Sequence, residues 1–437
     1  MRIRCAGVAR VVVAVVVIVA IAGCGSSSKK SGSNDSTSSS AAVNPSTAPL
    51  PDFYTSAEAA SSRPPGTLLE SERVSASNIH GTVYRVLYQS LSTRNEPVVV
   101  SGVVIVPTRR TAPATGYPVV TWGHGTTGLG DNCAPSLAAD TSSPPPANAM
   151  LDRGWEIATS DYVGLGTPGV TPYLAGTSAA RNVIDIVRAA RQLSAAHASD
   201  TYAVWGYSEG GQTAMFALNI AATYAPELHL VGVVAGAPPS QLRTLYTFLT
   251  TSRYRYYVLM LIVGMNAAYG DHLAPLDQVL TSNGLSLVHE VETDCVSIAK
   301  FGLSQPANSL LPAKLAHVTI ASTVKTDPFT IPAWRRILMA NDAGRFPKPS
   351  AVPLLIVQGG ADEQIPPATT ATLVRHECSI GQDVEQWTYP GRSHAPALVV
   401  SASDVVTWLA DRFAGGPVPD PYVPNAQAHV GRTTCPA

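Results

Sequence analysis

Charged side chains are scarce in this sequence: Asp, Glu, Lys and Arg make up only 14% of its 437 residues, and the net charge is -1. No basic stripe is present, which argues against nucleic acid as a partner and against a membrane surface held by charge alone. The spacings typical of metal sites are missing, as are the glycine loops that cradle phosphates or dinucleotides. The sequence therefore predicts no metal and no cofactor, and it specifies no oligomeric state.

Long apolar runs are also missing. The longest lie at residues 11–22 and 256–265, whereas a membrane-spanning helix needs about 20 apolar residues. Three arginines precede the first run, and small residues lead from it to Cys24. This pattern is typical of a bacterial lipoprotein signal peptide over residues 1–23, after which Cys24 is lipidated. The alternative is an ordinary secretory signal or membrane anchor in which Cys24 is incidental.

The stretch that follows, residues 24–50, is rich in serine and poor in apolar side chains. It is predicted to be a flexible tether with a reach of about 25–30 Å. Two acyl chains on Cys24 would hold the exported protein at the outer face of a cell membrane. An exported chain with an even number of remaining cysteines favours two disulfides. Three pairings are open for Cys133, Cys295, Cys378 and Cys435.

Residues 51–437 are predicted to form one α/β domain. Two strand-like stretches, at 80–90 and 97–107, predict an antiparallel hairpin. Apolar strands then alternate with helical patterns, which predicts a mainly parallel sheet with helices on both faces. The predicted strands lie at 117–122, 155–160, 201–206, 228–236, 352–358 and 384–389.

Two regions depart from this alternation. Residues 240–350, here called the helical insertion, contain a Tyr- and Leu-rich segment at 242–269. We expect the insertion to cap the sheet edge where open α/β sheets bind ligands; the alternative is a helical excursion that touches no site. The tail after Phe413 is rich in Gly and Pro and is predicted to be irregular, held in place only if Cys435 is bridged.

The segment Gly206-Tyr207-Ser208-Glu209-Gly210 matches the pattern Gly-x-Ser-x-Gly, which is weak alone. Here it follows an apolar strand and opens a long apolar helix, the setting of a nucleophile elbow. The sequence therefore predicts an α/β-hydrolase fold with Ser208 as the nucleophile.

The serine needs a histidine base oriented by a carboxylate, and in this fold both follow it in the chain. His394 lies in a loop between a strand and a helix, which suits the base better than the other histidines do. Asp362 follows a buried strand that ends in Gly-Gly and is the predicted acid. Glu363 and Asp404 are predicted surface charges.

Two backbone amides should stabilise the developing oxyanion. One is that of Glu209, directly after the nucleophile, and the other belongs to the loop that begins at Gly123. Thr126 is the predicted second donor and Thr127 its competitor, while His124 is expected to shape the loop.

Together these motifs resemble the secretory lipase family, a lipase-A-like branch of the α/β-hydrolases. The resemblance covers the chain from about residue 60 onward. It rests on Trp122-Gly123-His124-Gly125-Thr126-Thr127-Gly128, Cys133-Ala134-Pro135-Ser136, Gly206-Tyr207-Ser208-Glu209-Gly210-Gly211, Gly360-Ala361-Asp362 and Ser393-His394. The family implies the triad Ser208, Asp362 and His394, a helical cap, and disulfides pairing Cys133 with Cys295 and Cys378 with Cys435. The His124-Gly125 pair departs from the fungal members.

The function expected from residues and resemblance together is hydrolysis of carboxylic esters, as an esterase or lipase acting through an acyl-enzyme on an apolar acyl ester. An acyltransferase or a peptidase could use the same triad. A non-catalytic lipoprotein that binds an acylated ligand is the alternative from a different class.

Overall fold

The computed structural model of the chain describes residues 50–55, 63–139, 143–296, 311–415 and 431–435. The predicted signal peptide, Cys24 and nearly all of the predicted tether lie outside these ranges. Among the described residues, no helix is both long enough and apolar enough to cross a bilayer.

Ten strands lie within the described ranges. They are β1 (Leu68–Val74), β2 (Gly81–Leu91), β3 (Pro97–Pro107), β4 (Tyr117–Gly123), β5 (Glu156–Ser160), β6 (Ala198–Tyr207), β7 (His229–Gly236), β8 (Leu354–Gly359), β9 (Val384–Tyr389) and β10 (Gly431–Thr434). The buried strands are rich in Val, Ile and Leu, which pack well on a pleated surface.

All ten strands form a single sheet in the order β1-β2-β3-β5-β4-β6-β7-β8-β9-β10. The six strands from β5 to β9 in this order run parallel. β1, β2 and β3 pair antiparallel at one edge, and β10 pairs antiparallel at the other. Because the central strands are parallel, their carboxyl ends meet at one edge of the sheet. The predicted mainly parallel sheet is confirmed.

The described helices cover the sheet and build the helical insertion. They are α1 (Asp52–Thr55), α2 (Ala147–Leu151), α3 (Gly176–Ala190), α4 (Glu209–Tyr224), α5 (Leu242–Thr251), α6 (Tyr256–Tyr269), α7 (Leu276–Val279), α8 (Ser282–Ser286), α9 (Val288–Thr293), α10 (Leu311–Lys314), α11 (Ile320–Thr323), α12 (Pro332–Ala340), α13 (Pro367–Ser379) and α14 (His394–Phe413).

The sheet separates two hydrophobic cores, one on each of its faces. The buried side chains of α3, α4 and α13 pack with one face, and those of α2 and α14 pack with the other. The second core continues into α5 and α6, so the helical insertion shares buried apolar surface with the sheet. Within its described residues the insertion is helical, apart from short connecting segments and an isolated bridge between Leu280 and Val324.

Three features differ from the sequence prediction. Gly431–Thr434 form a strand, so the expectation of an irregular tail is wrong for these residues; they pair with β9 next to the bridged Cys435. β1 precedes the predicted hairpin and is only partly buried, which left little apolar alternation to detect. The helical segment 242–269 is two helices, α5 and α6, separated by residues 252–255.

Candidate active site

The elbow between β6 and α4 holds Ser208 in a conformation that L-residues rarely adopt, with φ 59° and ψ -122°. Such backbone strain costs about 1–3 kcal/mol and persists only where the surroundings enforce it. Here the Ser208 amide donates to the carbonyl oxygen of Gly236 at the end of β7, at 2.8 Å. The strain therefore presents the serine at the carboxyl edge of the sheet, at the N-terminus of α4.

The glycines of the elbow are required by close contact. A Cβ atom on Gly206 would lie 1.9 Å from the carbonyl oxygen of Gly210, and one on Gly210 would lie 1.8 Å from that of Gly123. Real Cβ atoms essentially never approach a neighbour so closely. The sharp turn thus depends on both glycines, which is why the motif carries them at this spacing.

Asp362 and His394 form the second part of the site. Asp362 follows β8 and His394 follows β9, so both lie at the same edge of the sheet as the serine. The His394 Nδ1 and Asp362 Oδ2 atoms are 2.8 Å apart, and both side chains are buried. The other carboxylate oxygen of Asp362 accepts the amides of Gln364 and Ile365, each at 2.9 Å. These bonds fix the carboxylate and hence the orientation of the imidazole.

Tyr207, the residue before Ser208, connects the elbow to the Asp362–His394 pair. The Tyr207 hydroxyl donates to the carbonyl oxygen of His394 at 2.6 Å, and the two rings are 5.3 Å apart between centroids. The elbow is thereby fastened to the first residue of α14. This contact places the Asp362–His394 pair next to the elbow that carries Ser208, at the same edge of the sheet.

The expectation that Glu363 and Asp404 are surface charges is wrong for Asp404 and misses the contacts of the half-buried Glu363. Glu363 accepts the amide of His394 at 3.1 Å and the hydroxyl of Tyr254, just before α6 in the helical insertion, at 3.0 Å. Burial alone would raise the pKa of Glu363, but these hydrogen bonds outweigh it and lower the pKa. Asp404 is buried and accepts the hydroxyl of Tyr389 at 3.0 Å. All three contacts join residues that are at least 15 positions apart in the sequence, so no local pattern reveals them.

The loop after β4 lies beside the serine. A Cβ atom on Gly125 would lie 3.5 Å from the Cβ atom of Ser208, in ordinary contact. The ring of His124 stacks on Tyr162 at 4.3 Å and lies within hydrogen-bond distance of two carbonyl oxygens, and burial lowers its pKa. These contacts agree with a role for His124 in shaping the loop.

The two threonines of this loop have different surroundings. The Thr126 hydroxyl lies 3.1 Å from that of Tyr173 and hydrogen bonds to the Glu209 side chain. The carbonyl oxygen of Thr127 instead accepts the amide of Val296, away from the elbow, and the Thr127 side chain is buried. Thr126 therefore faces the elbow, whereas Thr127 anchors the loop.

Two disulfides cross-link segments around the site. Cys133 pairs with Cys295, and Cys378 pairs with Cys435, which confirms the pairing implied by the family resemblance. The first bridge joins the loop after β4 to the helical insertion, and the backbone of Gly128 packs directly against it. The second ties the strand β10 to α13.

An apolar cavity borders Ser208 and lies between the sheet edge and the helical insertion. One wall is a stripe of α5 side chains at helical spacing, and the facing wall comes from α6. The wall residues are Leu242, Leu245, Tyr246 and Leu249 of α5 and Tyr257, Val258 and Leu261 of α6. The insertion thus lines a space next to Ser208, which the alternative of a distant helical excursion does not provide. Within the described residues, no cluster of three or more His, Cys, Asp or Glu side chains could hold a metal ion.

A serine on a strained strand–turn–helix elbow, set at the carboxyl edge of a mainly parallel ten-stranded sheet, defines an α/β-hydrolase. Within that class, the chain belongs to the secretory lipase family, whose family model matches residues 147–420. It is similar to lipase A of Moesziomyces aphidis, with 22% identity over 83% of this chain and 79% of that protein. It is also similar to a probable inactive lipase of Mycobacterium tuberculosis, with 24% identity over 85% of this chain and 82% of that protein.

Solved structures share the fold. Candida antarctica lipase A in its closed state superposes with a TM-score of 0.69 at 20% identity, covering 88% of this chain and 93% of that chain. The rice cell wall degrading esterase LipA from Xanthomonas oryzae, in a ligand-bound form, superposes with a TM-score of 0.64 at 20% identity, covering 81% and 100%. The sequence-based assignment to the secretory lipase family and to its fold is confirmed.

Proposed function

We propose that this protein is a serine carboxylic-ester hydrolase that works through an acyl-enzyme. The observation that carries the proposal is the buried Asp362–His394 pair at 2.8 Å, set beside the strained elbow of Ser208. Membership of the secretory lipase family supports ester hydrolysis as the class of activity.

In the proposed mechanism, His394 removes the proton of Ser208 as the oxygen attacks the ester carbonyl. Asp362 keeps the imidazole in the required tautomer and stabilises the imidazolium that forms. The amides of Glu209 and Thr126 hold the oxyanion of the tetrahedral intermediate. The alcohol leaves with the proton from His394, and water then attacks the acyl-enzyme with His394 again as the base. Hydrolysis of this ester restores the free serine and releases the acid.

We infer that the acyl group is apolar and enters the cavity beside Ser208. Leucine and valine side chains on two facing helices favour an alkyl chain over a polar group. The stripe from Leu242 to Leu249 follows α5 for about 10 Å, so this apolar wall extends well beyond the length of an acetyl group.

One relative is named a probable inactive lipase, so a non-catalytic protein that binds an acylated ligand is a specific alternative. A fluorophosphonate probe distinguishes the two, because it reacts only with an activated serine. We expect covalent labelling at Ser208, located by mass spectrometry of the digested protein, and none in Ser208→Ala. Intact wild-type protein that stays unlabelled would favour ligand binding. Incubation with an ester and an added alcohol or peptide acceptor separates hydrolysis from acyl transfer.

The choice of acyl chain should depend on α5. Leu249→Trp fills the cavity about two turns beyond Leu242, and we expect it to lower kcat/KM for long-chain p-nitrophenyl esters by about 10-fold or more. The rate with p-nitrophenyl acetate should hardly change, because a short acyl group does not reach this position. A matched control is Leu285→Trp, an exposed leucine on α8. Equal losses for short and long esters would contradict the assignment of the cavity.

We further propose that the protein is exported and anchored through a lipid on Cys24, as the motif at the end of the predicted signal peptide indicates. The family of secretory lipases supports export. Partition of the native protein into a detergent phase, lost in Cys24→Ser, would support the anchor. Equal partition of both proteins would contradict it.

A further inference from the structure

The side chain of Glu209 lies between the two segments that carry the proposed oxyanion donors. The backbone amide of Glu209 directly follows Ser208, the proposed nucleophile. The Glu209 carboxyl is buried, since only 5% of the residue is exposed, and it hydrogen bonds to Thr126. The Thr126 hydroxyl in turn lies 3.1 Å from the hydroxyl of Tyr173, which lines the cavity. A chain of side-chain hydrogen bonds therefore runs from the elbow, through the loop after β4, to the cavity wall.

Burial raises the pKa of Glu209 to about 8, against the opposing effect of the Thr126 hydrogen bond. The ionisable groups that face it from the packed segments are the phenols of Tyr162 and Tyr173, and burial raises the pKa of both well above 10. Behind Tyr162 lie His124, whose pKa burial lowers, and Asp161, whose pKa burial raises. These neighbours supply no positive charge at neutral pH, so the Glu209 carboxyl is mostly protonated there.

The charge of this carboxyl matters because of where it lies. The negative charge that develops on the substrate oxygen forms against the amides of Glu209 and Thr126. A neutral carboxylic acid can hold Thr126 in place without repelling that charge. A carboxylate at the same position would repel it strongly, since few mobile dipoles screen charges in a buried site.

We propose that Glu209 is a positioning residue, whose neutral carboxyl ties Thr126 to the nucleophile elbow and whose ionisation lowers ester turnover in alkaline solution. The proposal rests on the proposed hydrolase function and adds to it a built-in upper limit on working pH. The acid–base equilibrium of the Glu209 carboxyl determines how turnover changes with pH. The neutral form predominates below the pKa of Glu209 and is lost as pH rises through it, so turnover falls there.

The experiment measures kcat and KM with a p-nitrophenyl ester between about pH 6 and pH 10, after subtraction of spontaneous hydrolysis. For the wild-type protein we expect kcat/KM to fall by about 10-fold or more above about pH 8. Glu209→Gln keeps a neutral side chain that can bond to Thr126, and its kcat/KM should stay level over the alkaline range. Glu209→Ala removes the tie, so its kcat should drop by about 10-fold or more at neutral pH, with little change in KM.

A matched control is Glu156→Gln. Glu156 is a fully buried carboxyl whose pKa burial also raises, but it begins β5, at the opposite end of the strands from the elbow. The kcat/KM of this variant should fall in alkaline solution as it does in the wild type. That result would separate ionisation of Glu209 from ionisation of another buried carboxyl. Circular dichroism at each pH checks that the proteins stay folded. If Glu209→Ala does not fold, the comparison of wild type with Glu209→Gln still decides.

An alkaline midpoint in Glu209→Gln equal to that of the wild type would overturn the proposal. So would a wild-type profile that stays level to about pH 10. These failures leave ester turnover and probe labelling of Ser208 intact. Failure of the proposed hydrolase function is different, because it would leave the wild-type protein without turnover at any pH and without labelling.

Discussion

Ser208→Ala is expected to lower kcat for a p-nitrophenyl ester by about 10⁶-fold, with KM within a few-fold of the wild type. In the proposed mechanism the Ser208 oxygen forms the covalent bond of the acyl-enzyme. Its loss would remove that reaction path and leave only the weak effect of binding beside the proposed oxyanion donors. If the substrate binds in the apolar cavity as proposed, the substitution should hardly alter its binding. The measurement is the steady-state rate of p-nitrophenol release by the purified wild-type and variant proteins at saturating ester.

A related prediction concerns Asp362, the acid of the proposed triad. Asp362→Asn should lower kcat by about 10⁴-fold, since the amide favours the wrong tautomer of His394 while keeping the geometry. The double variant should be no slower than Ser208→Ala alone, because the residues act as a unit. Ser401→Ala, at a buried serine on α14, is the matched control and should retain the wild-type rate. Substantial turnover by Ser208→Ala would exclude this serine as the nucleophile.

Gly210→Ala is expected to abolish measurable turnover and to lower the free energy of unfolding by about 3 kcal/mol or more. The added Cβ atom would lie 1.8 Å from the Gly123 carbonyl oxygen and 2.4 Å from its carbon. Both are backbone atoms of the strand β4, which is held on each side by β5 and β6. Relief therefore requires α4 to move away from the sheet, and that movement displaces Ser208. Urea unfolding and the ester rate measure the two effects.

The control for this substitution is Gly381→Ala. Gly381 has a φ of 84° in the turn between α13 and β9, and an added Cβ atom would meet nothing within 4 Å. Its replacement should cost only about 1–2 kcal/mol of backbone strain and leave the ester rate unchanged. Wild-type stability and activity in Gly210→Ala would contradict the close packing of the elbow against β4.

The strands and helices that position the site could be predicted because the sequence patterns that indicate them are local. An apolar strand, a Gly-x-Ser-x-Gly turn and an apolar helix lie within one continuous stretch, and the structure has the predicted helix as α4, directly after the turn. Asp362 and His394 could be placed at the same edge because each directly follows a recognisable strand. Parallel strands carry their carboxyl ends to one edge, so the order of elements alone brings these residues near one another.

The contacts that the sequence does not predict are those whose partners are distant in the chain. Glu363 is predicted from the sequence to be a surface charge beside the acid, yet it accepts hydrogen bonds from the amide of His394 and from the Tyr254 hydroxyl of the helical insertion. The sequence predicts Thr126 as the second donor with Thr127 as its competitor, and it separates them weakly because neighbouring threonines of one loop have the same local signal. Their contacts to Glu209 and to Val296 separate them only in three dimensions.

The class of fold, the elbow of Ser208 and the order of the proposed triad residues follow from the sequence alone, because strand, turn and helix propensities act over a few residues. Only the tertiary structure decided what surrounds the elbow: the apolar wall of α5 and α6, and the buried carboxyl of Glu209 against Thr126. Burial and charge depend on which distant segments pack together. A carboxyl beside a nucleophile has no fixed protonation state until that packing removes it from water.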